Sequence, residues 1–231
     1  MFGINQPPTG SKDPFGLRRS AIGILRIIVE NGLDLNLAEL IDSAISAQNQ
    51  NKLLPETKAL VFQFFLERFR SWYKEDGISS SVFESVYALK PQRPLDFHLR
   101  VQAVNAFTEL PESMSLAIAN KRVSNLLSKY EAKSILPPSN KDLLKLESEE
   151  NLHFQIKHKK LEMAPFIEKL DYTNALLCLS SLKSAIDDFF DNVLVNDEDE
   201  KLRKNRYSLL FELRELFLMT ADISFLDNNQ K

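Results

Sequence analysis

The sequence predicts an all-α protein with two helical subdomains. Apolar residues recur every three to four positions over most of the 231-residue chain, which is the period of one helix face. Only 6 glycines stand beside 16 phenylalanines, whereas sheet-rich folds need more glycines in their turns. No stretch of useful length alternates apolar and polar residues, as a half-buried strand would. These three observations favour packed helices throughout.

The first subdomain is expected to contain four helices after a loop at residues 1–11. Asp13 and Pro14 predict the first helix start, because aspartate accepts hydrogen bonds from unpaired helix amides and proline fits the first turn. Apolar spacing predicts the others near residues 37–45, 55–77 and 79–89. Two prolines at positions 91 and 94 disfavour continuous helix, so the subdomain boundary is placed between residues 92 and 93.

The second subdomain, residues 93–226, is expected to be a helical bundle. Pro165 should kink or split the third of its helices. Residues 196–200 form an acidic connector, and residues 227–231 are predicted to be a disordered tail. The helices are expected near residues 96–110, 112–130, 141–170, 172–195 and 200–223.

Composition narrows the class of protein without giving its function. The net charge of −3 does not suggest nucleic-acid binding, so any RNA surface must be a local patch. One cysteine excludes an internal disulfide and fits a reducing compartment. No apolar run approaches the ~20 residues of a membrane-spanning helix, and residues 1–11 lack a secretory signal pattern. A cytoplasmic protein is therefore expected.

No residue pattern typical of catalysis is found. Neither a GxGxxG nor a GxxxxGK[ST] phosphate loop occurs. His153 and His158 are five residues apart, which places them on different faces of a helix and disfavours a metal site. Cys178 lies among leucines, as a buried structural thiol does. The aspartates within residues 187–191 lie opposite the apolar side of their helix, which indicates a solvated acidic face.

Residues 120–125 form the first of two basic stretches. Helical angles place Lys121 and Asn125 opposite the apolar face, with Arg122 at its edge. Cations can contact phosphates, and asparagine can hydrogen-bond the edges of unpaired bases. A solvated helix face without a ligand explains the same pattern equally well.

Residues 201–206 form the second basic stretch. Arg203 and Lys204 are expected to reach solvent, while Arg206 falls on the apolar side of its helix. We therefore expect Arg206 to be a structural residue, ion-paired with an aspartate of the neighbouring helix.

Five motifs, in the same order along the chain, resemble the β subunit of bacterial tetrameric glycyl-tRNA synthetase, in its C-terminal region. Each motif alone is moderately specific for this family, and five motifs in the same order are strong evidence of the resemblance. The motifs are Gln6–Arg19, Pro94–Val104, Ala119–Asn125, Ala185–Val193 and Leu213–Ile223.

The resemblance implies a division of the chain by function. Residues 1–92 would follow or end an HD-like domain, and residues 93–226 would be a DALR-type anticodon-binding domain similar to that of the arginyl enzyme. That domain would bind the anticodon stem and loop of glycine tRNA. The synthetase α subunit, in an α2β2 tetramer, would bind ATP, Mg²⁺ and glycine and form the aminoacyl bond. No cofactor is expected in this chain.

The expected RNA contacts come from the matching motifs and from the second basic stretch. Arg18 and Arg19 match the first motif, either as tRNA contacts or as braces between domains. The candidate contacts are Arg100, Asn120, Lys121, Arg122, Asn125, Arg203 and Lys204.

Two other classes of protein stay open. The first is a helical module for subunit assembly, which would dock through Phe62, Phe65 and Trp72, although their spacing fits a buried face. The second is an HD-type hydrolase, which the lack of the family's His–Asp pair disfavours.

Overall fold

Helices account for the regular structure of the chain, as the sequence predicts. Within the described ranges the computed structural model contains ten α-helices, and the pairing of extended backbone is limited to one isolated bridge between Thr9 and Lys12. No helix in these ranges is both long and apolar enough to cross a membrane. The all-α prediction is confirmed. The structure describes residues 1–10, 12–48, 53–130 and 136–226.

The chain divides into two compact units. The first comprises Met1–Phe83 with Lys90–His98, and the second comprises Glu84–Leu89 with Leu99–Lys231. The subdomain boundary expected after residue 92 stays a prediction. The tail predicted at residues 227–231 lies outside the described residues.

Stacked aromatic rings form the core of the first unit. The Phe69 ring lies nearly parallel to those of Trp72, Tyr73 and Phe97, with centroids 4.9 to 5.8 Å apart. Phe65 is buried beside them. Trp72 and Phe65 thus belong to the core, as their spacing predicts, and Phe62 is half-buried. Three helices lie wholly in this unit, α1 (Leu17–Glu30), α2 (Leu37–Ser46) and α3 (Thr57–Glu75), and α4 (Ser80–Tyr87) begins in it.

The first helix begins later than the sequence predicts. Gly16 adopts a left-handed conformation with φ of 65°, so the helical run starts only at Leu17. Asp13 still caps the helix, because its carboxylate accepts hydrogen bonds from the amides of Leu17 and Arg18 at 2.9 and 3.0 Å. The bond from the Arg18 amide is the main cause of the lowered pKa of Asp13.

One expected helix of the second unit is in fact two. The prediction of a single helix over residues 172–195 is wrong, because the chain turns at Ser181 and Leu182. The hydroxyls of Ser180 and Ser181 donate to the carbonyls three residues earlier, which competes with continued helical bonding. The remaining helices of the chain are α5 (Pro94–Phe107), α6 (Ser113–Lys129), α7 (Glu147–Glu168), α8 (Tyr172–Ser180), α9 (Lys183–Asn192) and α10 (Glu200–Leu218). Helices α4 and α5 each contain residues of both units.

Helix α7 continues past Pro165. The sequence predicts a kink or split at Pro165, but the helix is not split there and ends at Glu168. Pro165 is exposed in the last turn, so water can replace the backbone hydrogen bond that the ring removes. The segment Lys141–Leu143, expected as the start of this helix, is a separate 3-10 turn.

A buried guanidinium joins three segments of the second unit. Arg206 of α10 donates from Nε to Glu149 Oε1 of α7 at 2.5 Å, and from Nη1 to Asp197 Oδ2 at 2.6 Å and the Leu194 carbonyl at 2.9 Å. The second Glu149 oxygen accepts from the backbone amides of Lys145 and Leu146, which caps α7. The structural role expected for Arg206 is confirmed, although its partners are not the aspartates of the neighbouring helix.

Breaking this ion pair should strongly destabilise the second unit. We expect Arg206→Met or Glu149→Gln to lower the free energy of unfolding by about 3–5 kcal/mol, because each leaves a buried polar partner uncompensated. Urea titration followed by circular dichroism measures the change. Lys204→Met, at an exposed position of the same helix, should stay within ~0.5 kcal/mol of the parent chain. Equal stability of the Arg206 and Lys204 variants would contradict this prediction.

Candidate nucleic-acid interface

The outward side of α6 carries a line of exposed side chains. They follow one another at three- and four-residue spacing, so they share one face. The line differs from the predicted face in two residues. Arg122, expected at the edge, lies within the line, whereas Lys121, expected at its centre, is half-buried at the edge. The line consists of Met114, Ile118, Arg122, Asn125 and Lys129, with Ser128 beside it. Apolar, cationic and amide groups are therefore presented together.

Asn120 lies on the opposite, buried side of α6. Its side chain is 1% exposed, and its amide nitrogen donates to the Leu116 carbonyl at 3.1 Å. The grouping of Asn120 with the outward-facing candidates is therefore corrected: it packs beside Leu116 and Val123 in the core. A small polar side chain can occupy such a position because it bonds the backbone of its own helix.

Arg122 lies against an aromatic ring of α9. The guanidinium carbon is 4.0 Å from the centroid of the Phe190 ring, in the geometry of a cation–π contact. The Arg122 side chain is exposed, and within the described residues it makes no hydrogen bond or ion pair. Phe190 was not among the sequence candidates. Its signal in the sequence is the Phe189–Phe190 pair, of which only Phe189 fits the buried side.

The Arg100 side chain is hydrogen-bonded to other residues of the protein. Its Nη1 donates to the carbonyls of Met219 and Thr220 at 2.9 and 2.6 Å, and its Nη2 donates to the Tyr172 hydroxyl at 2.9 Å. The guanidinium also lies 4.1 Å from the centroid of the Tyr172 ring. A cation at these carbonyls, just after α10 ends, satisfies groups that the helix leaves unpaired. An RNA contact at Arg100 stays a prediction.

Both arginines of the second basic stretch, Arg203 and Arg206, are hydrogen-bonded within the fold. Arg203 is half-buried and donates from Nη1 to the Asp197 carbonyl at 2.8 Å. Lys204 is exposed. The pKa of the Asp197 carboxyl is lowered, first by a hydrogen bond from the Asp199 amide and then by Arg206.

Helices α6 and α10 meet through two stacked tyrosine rings. The rings of Tyr130 and Tyr207 stack with centroids 4.2 Å apart. Tyr130 follows the last residue of α6, and Arg203 lies one turn before Tyr207 on α10. Burial raises the pKa of the Tyr207 hydroxyl, which donates to Asn196 at 2.9 Å. This junction places the C-terminal end of α6, with Lys129 in its last turn, beside the first two turns of α10.

Acidic side chains limit the surface on the α9 side. Asp187 is paired with Lys183 at 2.6 Å, and Asp188 and Asp191 are exposed on the same helix. An anionic ligand on α6 would therefore be confined to the line around Arg122. Within the part of the chain that the structure describes, no group of three or more His, Cys, Asp or Glu residues is placed to hold a metal ion.

Comparison with known proteins gives two family matches. Residues 1–88 match the family described as glycyl-tRNA synthetase beta subunit, and residues 116–222 match the DALR anticodon binding domain. The outward line of α6, the Phe190 ring and the carbonyls bound by Arg100 all involve the second matched region.

Curated relatives share the sequence over nearly its whole length. The glycine–tRNA ligase beta subunit of Hahella chejuensis is 47% identical over 230 residues, which is 99% of this chain and 33% of the relative. Those of Marinobacter nauticus and Ectopseudomonas mendocina are 45% and 47% identical over 98% of the chain, and 32% and 33% of their own lengths. The chain thus spans about one third of the length of these relatives.

The contacts of Arg100 predict a loss of stability on its substitution. Arg100→Met should lower the free energy of unfolding by about 1.5–3 kcal/mol, because it removes charge-assisted hydrogen bonds to half-buried carbonyls. Thermal and urea unfolding followed by circular dichroism test this. Asn125→Ala, at an exposed position of α6, serves as the control and should change stability by less than ~0.5 kcal/mol. A stable Arg100→Met variant would show that these bonds contribute little.

Proposed function

Since this chain belongs to the glycyl-tRNA synthetase β-subunit family and carries a DALR anticodon-binding domain, we propose that it binds the anticodon arm of glycine tRNA. Its role is to hold the tRNA while aminoacylation takes place elsewhere in the synthetase. The chain itself supplies binding groups and no catalytic group.

One observation of geometry supports this proposal most directly. The exposed line of α6 places Arg122, Asn125 and Lys129 on one rigid helix, inside the region that matches the anticodon-binding family. A helix fixed by its buried side holds these groups at constant spacing, so binding does not require them to be ordered first. Lys121 lies at the edge of the line, within reach of a phosphate beside it.

The mechanism is positioning. Contacts from Lys121 and Lys129 to phosphates fix the register of the RNA, and contacts from Arg122 and Asn125 distinguish unpaired bases. Arg203 and Lys204, at the junction of α6 with α10, extend the phosphate contacts. Asn120 is left out because it is buried, and Arg100 supports the site from within the fold.

The same proposal assigns the partners. The aminoacyl bond is formed with ATP, Mg²⁺ and glycine on the synthetase α subunit, with which the β subunit assembles as an α2β2 tetramer in the cytoplasm. The chain spans about one third of the length of its relatives, so these partners are assigned to the synthetase as a whole.

A surface of the first unit supports subunit assembly as a second function. An open apolar cavity of about 650 Å³ lies between α2 and the residues at the start of the chain. Ile24 and Leu40, on its lining, are each about two-fifths exposed. Exposed apolar groups around a cavity are typical of a docking site. Size-exclusion chromatography of the chain with and without the synthetase α subunit separates assembly from tRNA binding alone.

Removing charge from α6 should weaken tRNA binding and its salt dependence. We expect Lys121→Ala with Arg122→Ala to reduce affinity for glycine tRNA at low salt. The slope of log K against log salt should fall by about 0.7 to 0.9 for each lost phosphate contact. Fluorescence anisotropy over a series of salt concentrations measures both quantities.

A matched control distinguishes binding at α6 from general electrostatic attraction between the chain and the RNA. Lys145→Ala with Lys169→Ala removes the same charge from exposed positions outside α6 and should leave affinity and slope near those of the parent chain. If both double variants behave alike, or if neither changes binding, the outward face of α6 is not the binding site.

A further inference from the structure

We propose that the Arg122 guanidinium, backed by the Phe190 ring, is a stacking platform for one unpaired base of the bound RNA, with Asn125 at the edge of that base. This inference rests on the proposed function and goes beyond it, because it assigns a base to a place on the surface and adds a residue of α9 to the site.

The contact with Phe190 fixes the guanidinium in one position. At 4.0 Å from the ring centroid, the guanidinium carbon is in van der Waals contact with the ring. The aromatic ring therefore lies against one side of the cation. Because the Arg122 side chain is exposed, its remaining surface is open to a ligand.

The fold uses the other arginines of the second unit. Within the described residues, Arg203, Arg206 and Arg214 donate to Asp197, Glu149 or Asp222, and Arg100 donates to backbone carbonyls. Arg122 makes no such bond within those ranges. Within the described residues its five N–H donors thus stay available, and the contact that holds its position there is the one with the Phe190 ring.

The neighbours of Arg122 suit a base more than a phosphate alone. Ile118, four residues before it on α6, is 51% exposed and offers an apolar surface, and Asn125, three residues after it, offers an amide. An amide carries both a donor and an acceptor, as the edge of a base does. On α9, Asp187 is paired with Lys183, and the exposed Asp188 and Asp191 on either side of Phe190 disfavour a phosphate at the ring more than an uncharged base.

The chemistry favours arginine at this position. A guanidinium is planar and weakly hydrated, so a base can stack on one face while an aromatic ring covers the other. The ammonium of lysine is a strongly hydrated point charge without such a face. Unpaired loop nucleotides expose their faces, whereas bases within a stem are stacked on one another. A loop nucleotide is therefore the ligand that the platform fits.

The test uses the 231-residue chain and synthetic anticodon stem-loops of glycine tRNA with 2-aminopurine at each loop position in turn. The fluorescence of 2-aminopurine changes when the base stacks. We expect the parent chain to change it at one loop position. Arg122→Lys and Phe190→Leu should each abolish that change and weaken binding by about five- to hundredfold. Arg122→Lys should leave the salt slope unchanged, because the charge is kept.

A matched control uses the other end of the chain. Arg26 of the first unit is also an exposed arginine over an aromatic ring, 5.1 Å from the centroid of a Trp72 ring. Arg26→Lys makes the same exchange there and should leave RNA binding and 2-aminopurine fluorescence unchanged. Circular dichroism of each variant reports whether it is folded.

The outcomes separate the platform from the proposed function. Salt-dependent binding without a fluorescence change at any loop position overturns the platform and leaves the proposed function intact. The platform is also overturned if Arg122→Lys binds and stacks as the parent chain does. If the parent chain binds no stem-loop at all, both proposals fail. If the Phe190→Leu variant does not fold, the Arg122→Lys variant and the scan of loop positions with the parent chain still test the platform. Arg122 is exposed, so its exchange for lysine is not expected to unfold the chain.

Discussion

The second unit depends on one buried charge. The guanidinium of Arg206 reaches Glu149 at the start of α7 and Asp197 before α10, and it also binds the Leu194 carbonyl after α9. Buried charge is tolerated only when every partner is in place, so this cluster holds the ends of three helices in one arrangement. Glu149 adds to this by accepting two backbone amides at the start of α7. The buried side of α6 packs within the same unit, which fixes the direction of its outward face.

On the proposed function, an acidic chain binds RNA, and the placement of its arginines shows where a cation is directed outward. Of the arginines in the second unit, those at positions 100, 203, 206 and 214 bond carbonyls or carboxylates of the protein. Arg122 is directed outward instead and rests on an aromatic ring. The net charge of −3 is a sum over the whole chain and does not describe the charge of one helix face. Arg122 is thus part of the outward line on α6, whose C-terminal end meets α10 at the stacked rings of Tyr130 and Tyr207.

The sequence predicted most of the fold, because helix periodicity and capping residues act locally. It placed Arg206 correctly, since a cation on an apolar helix face must find a partner. It missed the break between α8 and α9, where two serines bond the preceding turn without a proline or glycine to mark them. It also grouped Asn120 with the outward side chains, because a family motif gives residue identity and not orientation. Phe190 could not be assigned to the site, since its contact with Arg122 joins two helices whose packing only the structure provides.

The outward face of α6, on the proposed function, lies against the anticodon loop of glycine tRNA. Tethered hydroxyl-radical cleavage tests this placement most directly. Ser128, exposed beside the line, is replaced by cysteine and linked to an iron chelate, while the native Cys178 is buried. We expect the radicals to cleave the bound tRNA in the anticodon loop and the adjoining stem. Cleavage confined to the acceptor arm, or none above that of the free chelate, would contradict the placement.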